Sequence, residues 1–262
     1  MNKSLSDYVS EYQNTCEHND LIWNRFEGLT DELSFLKEHR DYIEKYDLGF
    51  GDRAFHYMWH LLFNEVKPGK VLEIGVYKGQ VISLWSLISK RIGISTAIDA
   101  ISPFEGNMPT KLFDSKIFSL VKSILSPTYR RNRSVANYYE KTDYLREIED
   151  LFQAFDLPFD EVNKIKGLSQ DPSILQQVSK NKYDMIYIDG NHRFEYVAKD
   201  ISTYCPLIVS NGYLVMDDAS FYLPSSAFWK GHEEVSRACN QLEHLGFENI
   251  LNVGHNRIFK KM

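Results

Sequence analysis

Three carboxylates and one histidine stand where two apolar runs end. Asp189 follows YDMIYI (183–188), and Asp217 with Asp218 follows YLVM (213–216). Carboxylates at the ends of neighbouring buried strands repel one another unless some stay protonated or a cation lies among them. All-oxygen donors favour Mg²⁺ or a similar hard cation over zinc. Capping of the following helices explains one such aspartate at a time, but poorly all three. His192 comes three residues after Asp189, in DGNH, at the entrance to the next helix. An imidazole beside carboxylates suits a general base near neutral pH, although a lone histidine at a helix start is as readily a plain turn residue.

A second constellation lies earlier in the chain. Glu73-Ile-Gly75-Val-Tyr77-Lys-Gly79 forms a glycine-containing turn from strand to helix. The dinucleotide fingerprint needs a glycine in the middle, where backbone approaches a pyrophosphate. Tyr77 occupies that place, so a ligand with an adenosine but no phosphates fits better. Asp99 is read as closing the second strand, about 20 residues on, where a carboxylate accepts both hydroxyls of a ribose. The plain structural alternative is that Gly75 and Gly79 pack helix on strand and Asp99 caps a turn. His56 and His60 share one helix face with no matching glutamate, inside an apolar stripe, which marks them as core. Tyr129-Arg130-Arg131-Asn132-Arg133 reads as a solvated linker rather than an anion contact.

The elements that must position these residues emerge from periodicity. Residues 1–67 read as a helical extension, ending in the dense apolar helix AFHYMWHLLFNEV (54–66) before Pro68-Gly69. Strands are expected at 71–76, 95–101, 163–166, 183–189 and 213–218. Helices are expected at 81–92, after Ser173 and over 195–205. Short apolar strands alternating with helices predict an α/β fold, a doubly wound, mostly parallel sheet built from right-handed crossovers. A helix and a terminal hairpin (ENILNVGHNRIFKK) would add an antiparallel C-terminal edge. Residues 104–160 interrupt the alternation; two helices (111–125 and 138–155) make them a helical lid insertion within a domain spanning 68–262. In such a sheet, ligands bind beyond the carboxyl ends of the strands.

Composition bounds the rest. The chain has 262 residues, 43% hydrophobic and 25% charged, which suits one large folded domain. A net charge of −6 argues against broad nucleic-acid binding. Three scattered cysteines form neither a disulfide framework nor a zinc cluster. No signal peptide and no apolar run near the ~20 residues of a membrane span are visible, so the expectation is a cytoplasmic protein. Aromatics reach 14%. Most fill the core, but Phe104, Tyr129, Tyr138, Tyr139, Phe221, Tyr222, Phe228 and Trp229 cluster where an acceptor should enter.

Together, VLEIGVYKGQ, AIDAISP, GLSQDP, YDMIYIDGNHRFEYV and GYLVMDDAS resemble the class I S-adenosylmethionine-dependent methyltransferases. Within them the likeness is greatest to the Mg²⁺-dependent O-methyltransferases that act on macrolide and aminocoumarin sugars. It covers about residues 54–262, and the IDGNH…DD arrangement is its most specific part. The resemblance implies that Glu73, Gly75, Tyr77 and Gly79 border the methionine end of S-adenosylmethionine, that Asp99 holds its ribose, and that Ser169, Gln170 and Asp171 border its adenine. It implies Asp189, Asp217 and Asp218 as Mg²⁺ ligands and His192 as the base, since the carboxylate that some members carry one residue earlier is Asn191 here. Gln80-Val81 and Leu168 depart from the family pattern. The expected function is metal-dependent methyl transfer to a hydroxyl of a small molecule, a sugar or glycoside being favoured. The rivals are a non-catalytic nucleoside-binding scaffold and a nicotinamide oxidoreductase; a complete acid set counts against the first and Tyr77 against the second. The apolar N-terminal helices offer a surface for a homo-oligomer.

Overall fold

The computed structural model describes residues 3–106, 142–223 and 228–262. The expected helix at 111–125, the basic linker and Tyr129, Tyr138 and Tyr139 lie outside the described residues. Four helices lead the chain: α1 (Leu5–Glu11), α2 (Cys16–Glu32), α3 (Ser34–Tyr46) and α4 (Arg53–Val66). Strands and helices then alternate through β1 (Lys70–Ile74), α5 (Gln80–Ile92), β2 (Ala97–Ser102), α6 (Tyr144–Ala154), β3 (Asn163–Lys166) and α7 (Pro172–Val178). They continue with β4 (Tyr183–Ile188), α8 (Phe194–Tyr204), β5 (Ile208–Met216) and α9 (Glu233–Ala238). The hairpin β6 (Phe247–Val253) and β7 (Asn256–Lys261) closes the fold.

The seven strands form one sheet in the order β3-β2-β1-β4-β5-β7-β6. Its first five strands are parallel; β7 runs antiparallel to β5, and β6 to β7. Strand order reverses between β1 and β4, so the crevice beyond their carboxyl ends is the place for a ligand. β5 starts five residues earlier than the apolar pattern indicates. Its first half, with Asn211 in a left-handed conformation (φ 61°) beside Gly212, carries no alternation to read.

Alternation sorts the sheet's side chains into two layers. Val71, Met185, Tyr187 and Val215 join a core with α2, α4 and α5, whereas Leu72, Ile74, Ile186 and Ile188 pack on the other face against α7 and α8. The same parity puts Glu73, Asp189 and Asp217 on the face that α4 covers. The N-terminal helices are therefore one wall of the site's layer: Phe26, Tyr57, Met58 and Leu62 are buried in the same core as Trp85 and Val253. Their apolar faces, expected as a surface for a second copy, are buried within this chain. Two bonds from the Asn19 side chain clasp α2 to the backbone of the final hairpin: Asn19 Nδ2 donates to Gly254 O and Gly254 N donates to Asn19 Oδ1, both at 3.0 Å.

Candidate functional site

Gly75 ends β1 with φ 103°, and a Cβ there would sit 1.7 Å from the Asp189 carbonyl oxygen. Glycine thus lets the β1 turn close on the end of β4, joined also by the Asp189 N–H to Ile74 O bond at 2.8 Å. Gly79 precedes α5 with φ 83°, and a side chain there would meet Ile148 of α6 at 2.8 Å. Both glycines serve local packing while holding the turn open to the crevice. A cavity of about 430 Å³ lies beyond these strand ends. Glu73, Gly75, Tyr77, Asp189, His192, Asp217 and Asp218 all line it. The two halves of the expected site, separated by more than a hundred residues of sequence, therefore share one chamber.

Electrostatics inside it are severe. Burial pushes the Asp189 carboxyl well above its ordinary value, and the charges of Asp217, Asp218 and Glu73 add to that. Asp218 is pushed up to about 8 by burial and then by Asp217. Glu73 also reaches about 8, again by burial first and Asp217 second. Burial works the same way on Asp217, but the charge and hydrogen bond of His255 outweigh it and hold that carboxyl down at about 2. His255 in turn rises to about 9 despite its burial, because Asp217 and Asp218 face it. Its Nε2 lies 3.4 Å from Asp217 Oδ1 and 3.8 Å from Asp218 Oδ1.

His192 Nε2 is 3.2 Å from Asp218 Oδ2. Burial, and then the neighbouring His232, push its imidazole down to about 4, so the ring is neutral at physiological pH. His232 stacks on His192 with centroids 4.3 Å apart and planes 19° from parallel, its Nε2 3.6 Å from Asp218 Oδ2. Both Nε2 atoms approach the same Asp218 oxygen, and one ligand atom from each of His192, Asp218 and His232 lies within 4.8 Å of the others. Gly231 allows it: a Cβ there would lie 2.2 Å from the Asp218 backbone, which itself takes a positive φ of 53°.

The oxygen donors fit a hard divalent cation. Asp218 Oδ1 is buried with no hydrogen-bond partner, and Asp189 and Asp217 crowd beside it in a site where full ionisation of all three needs a positive charge. Asp189, Asp217 and Asp218 are the residues that would hold it.

Other expectations divide. Asp99 does not close β2, which runs on to Ser102. Its parity places it on the face opposite Glu73, and its partners are strand starts: Tyr183 OH donates at 2.6 Å, Asn163 Nδ2 at 3.0 Å, and Lys70 Nζ lies at 3.1 Å. The expected ribose contact at Asp99 is thus corrected, because a carboxylate at that register points to the wrong end and the wrong side of the sheet. Ser169 and Gln170 stand beyond β3, but their side chains tie the turn to α8, donating to Asp200 Oδ1 at 2.8 and 3.2 Å. Asp171 Oδ2 accepts from Leu168 N within the same turn. Of the expected aromatic mouth, Trp229 lines the cavity, Phe104 is buried, Tyr222 bonds Asn14 and Asn252, and Phe228 packs against Trp23 with the rings tilted. Phe50, 80% exposed, stacks on Tyr77 at the rim instead.

Sequence reasoning missed His232, His255 and the loop at 48–51 that walls the cavity. His255 occupies the two-residue turn of the terminal hairpin, where Gly254 (φ 57°) bends the chain into the chamber. The motif GHN in that hairpin was the available signal, though nothing local tells that its turn meets Asp217.

A sequence-family profile described as a methyltransferase domain matches residues 72–219. That is more than half of the chain, which belongs to this family and carries the seven-stranded fold of the class I S-adenosylmethionine-dependent methyltransferases. No curated protein matches it. Among solved structures it is similar to the O-methyltransferase NovP, at 18% identity and TM-score 0.56 over 79% of each chain. A putative caffeoyl-CoA O-methyltransferase from Staphylococcus aureus matches at 16% identity and TM-score 0.59, covering 92% of this chain and 99% of that one. The methyltransferase PaMTH1 of Podospora anserina, solved with S-adenosylhomocysteine, matches at 15% identity and TM-score 0.54 over 100% and 97%. At such identities the likeness speaks for the fold. The helices before residue 72 and the hairpin with His255 lie outside the profile match.

Proposed function

We propose that this methyltransferase moves the methyl group of S-adenosylmethionine to a hydroxyl of a small molecule, in a reaction that depends on a divalent cation. A sugar or glycosylated natural product is the favoured acceptor, from the resemblance of the IDGNH…DD arrangement and the aromatic rim at Phe50, Tyr77 and Trp229. The observation that carries the reading is the trio of buried Asp218 and half-buried Asp189 and Asp217 in the same chamber as the glycine turn. The turn at Glu73, Gly75, Tyr77 and Gly79 borders the cofactor, and the polar turn at Ser169, Gln170 and Asp171 lies toward its adenine.

Asp189, Asp217 and Asp218 would hold a divalent cation, which when bound would lower the pKa of a hydroxyl brought against it. The chain's own residues do the rest. With Nε2–H on Asp218 Oδ2, His192 keeps its lone pair at Nδ1, and there it takes the acceptor proton as the oxygen attacks the sulfonium methyl. Chamber walls from α4 and the loop at 48–51 fix the approach, a contribution worth several kcal/mol in oriented reactions.

The raised His255 imidazolium favours a second reading, transfer without a metal, in which His255 alone neutralises Asp217. Chelation separates the two. Methyl transfer to a panel of glycosides, followed by mass spectrometry, is expected to stop in excess chelator and to return with Mg²⁺. Full activity in chelator overturns the metal dependence and leaves the second reading.

A further inference from the structure

Asp218 turns its two carboxylate oxygens to different neighbours. Oδ1 faces the buried His255, whose Nε2 is 3.8 Å away, and has no hydrogen-bond partner. Oδ2 faces a pair of imidazoles, 3.2 Å from His192 Nε2 and 3.6 Å from His232 Nε2. The first oxygen belongs with the carboxylate trio. The second heads a different donor set, and methyl transfer as derived above makes no use of His232.

Local structure holds both histidines at that oxygen. The His232 N–H donates to Asp218 O at 2.9 Å, and Ala219 forms an isolated antiparallel bridge with Gly231. On the other side, the Phe194 N–H at the start of α8 donates to Glu234 Oε2 of α9 at 2.7 Å, and the Arg237 guanidinium lies over the Phe194 ring. The two segments that carry the histidines are thus tied to each other, and the second is tied to Asp218. The imidazole side chains are 39% and 45% exposed, so an ion reaches their nitrogens from solvent.

Two imidazole nitrogens and one carboxylate oxygen are the donors of a borderline transition ion rather than of Mg²⁺. Zinc bonds such atoms at about 2.0–2.2 Å, which sets the edge of its tetrahedron at about 3.4 Å. The two nitrogen–oxygen edges, 3.2 and 3.6 Å, bracket that value. The nitrogen–nitrogen edge lies within 4.8 Å and closes as the exposed rings turn. Three protein donors leave the fourth position open.

We infer that His192 Nε2, Asp218 Oδ2 and His232 Nε2 form a second metal site, for a zinc-class transition ion, and that filling it stops methyl transfer. The site shares only Asp218 with the trio. Its effect on the reaction rests on the reading of His192 as the base. An imidazole bound to the ion through Nε2 carries its one N–H on Nδ1. Nδ1 is the atom that takes the acceptor proton, so the bound ion leaves it no lone pair to do so. Zinc acts here as a brake on the Mg²⁺-dependent reaction.

Calorimetric titration of the full chain, freed of metal by chelator, tests the site without any methyl transfer. His232→Phe keeps a ring against His192 and removes the nitrogen. It is expected to weaken Zn²⁺ by roughly 100-fold, the upper end of what even an orienting partner of a metal ligand is worth, and to leave Mg²⁺ affinity within about two-fold. Unchanged zinc affinity, or equal loss of both ions, overturns the site. If the variant fails to fold, ¹⁵N spectra of the histidine-labelled wild-type chain decide. With Zn²⁺ bound, His192 and His232 are both expected to carry their proton on Nδ1; a proton kept at either Nε2 overturns the inference. In the reaction, zinc that fills the site is expected to abolish Mg²⁺-supported transfer, and an unchanged rate overturns the brake. Zinc bound as expected by a chain that transfers no methyl group with any metal overturns the methyl-transfer reading instead and leaves the site standing.

Discussion

Two sets of buried acid occupy opposite ends of the same sheet, and they are built on opposite rules. At the strand starts, Asp99 is bonded by Tyr183 and Asn163 and paired with Lys70, so every neighbour answers its charge. At the strand ends, Asp189, Asp217 and Asp218 crowd one another, and Asp218 Oδ1 has no partner. Leaving a buried charged group unpaired costs far more than pairing it gains. A fold keeps such an arrangement where a ligand completes it. The difference teaches that burial of a carboxylate says little about its role until its partners are counted.

The sharpest test of that contrast exchanges charge at both ends. Asp189→Asn or Asp218→Asn is expected to lower metal-dependent methyl transfer by 100-fold or more, on the order of the loss of a metal ligand or its orienting group, with S-adenosylhomocysteine affinity nearly unchanged. Asparagine tolerates the left-handed backbone of residue 218, so the fold should survive the change. Retained activity in either variant would erase the distinction between the two ends. His192→Ala is expected to cost roughly 10²-fold in rate, with little effect on cofactor affinity in calorimetry. A rate equal to wild type removes His192 as the base.

Asp99→Ala should do the reverse. Methyl transfer stays within about two-fold, while stability falls by about 3 kcal/mol, a Tm drop of roughly 8 °C in thermal unfolding. An Asp99 variant that loses cofactor affinity at unchanged Tm would return that residue to the ribose. The smallest effect concerns Asp200, which burial pushes up to about 6 against the hydrogen bonds of Ser169 and Gln170. A carboxyl raised in the folded state stabilises below its unfolded value and loses that contribution as pH climbs through 6. Asp200→Asn should therefore raise Tm by a few degrees at pH 8 and leave it unchanged at pH 3. A gain of the same size at both pH values would place the cause outside ionisation.

Much of this architecture was legible in the sequence. The strand at 163–166 matches its expected bounds, α4 and α5 each begin one residue before theirs, and the glycine turn and the trio share a chamber as anticipated. These are local signals, carried by apolar alternation and by the residue types just beyond each strand. Asp99 failed because ribose binding depends on strand parity and length, and β2 continues through Ala100, Ile101 and Ser102. His232 and His255 could not be read, since each acquires its meaning from partners distant in sequence. His56 resembles core by its apolar surroundings, and it is core.

The clasp between Asn19 and Gly254 spans 235 positions. During synthesis, which proceeds at roughly 5–20 residues per second, α2 emerges more than ten seconds before its partner turn exists. His255 shares that turn, so the chamber is completed only after all five parallel strands have been made. The nascent protein can fold its parallel strands early, yet it carries no finished reaction chamber until synthesis has reached the hairpin. The chamber is thereby made contingent on α2 and the hairpin meeting across that span.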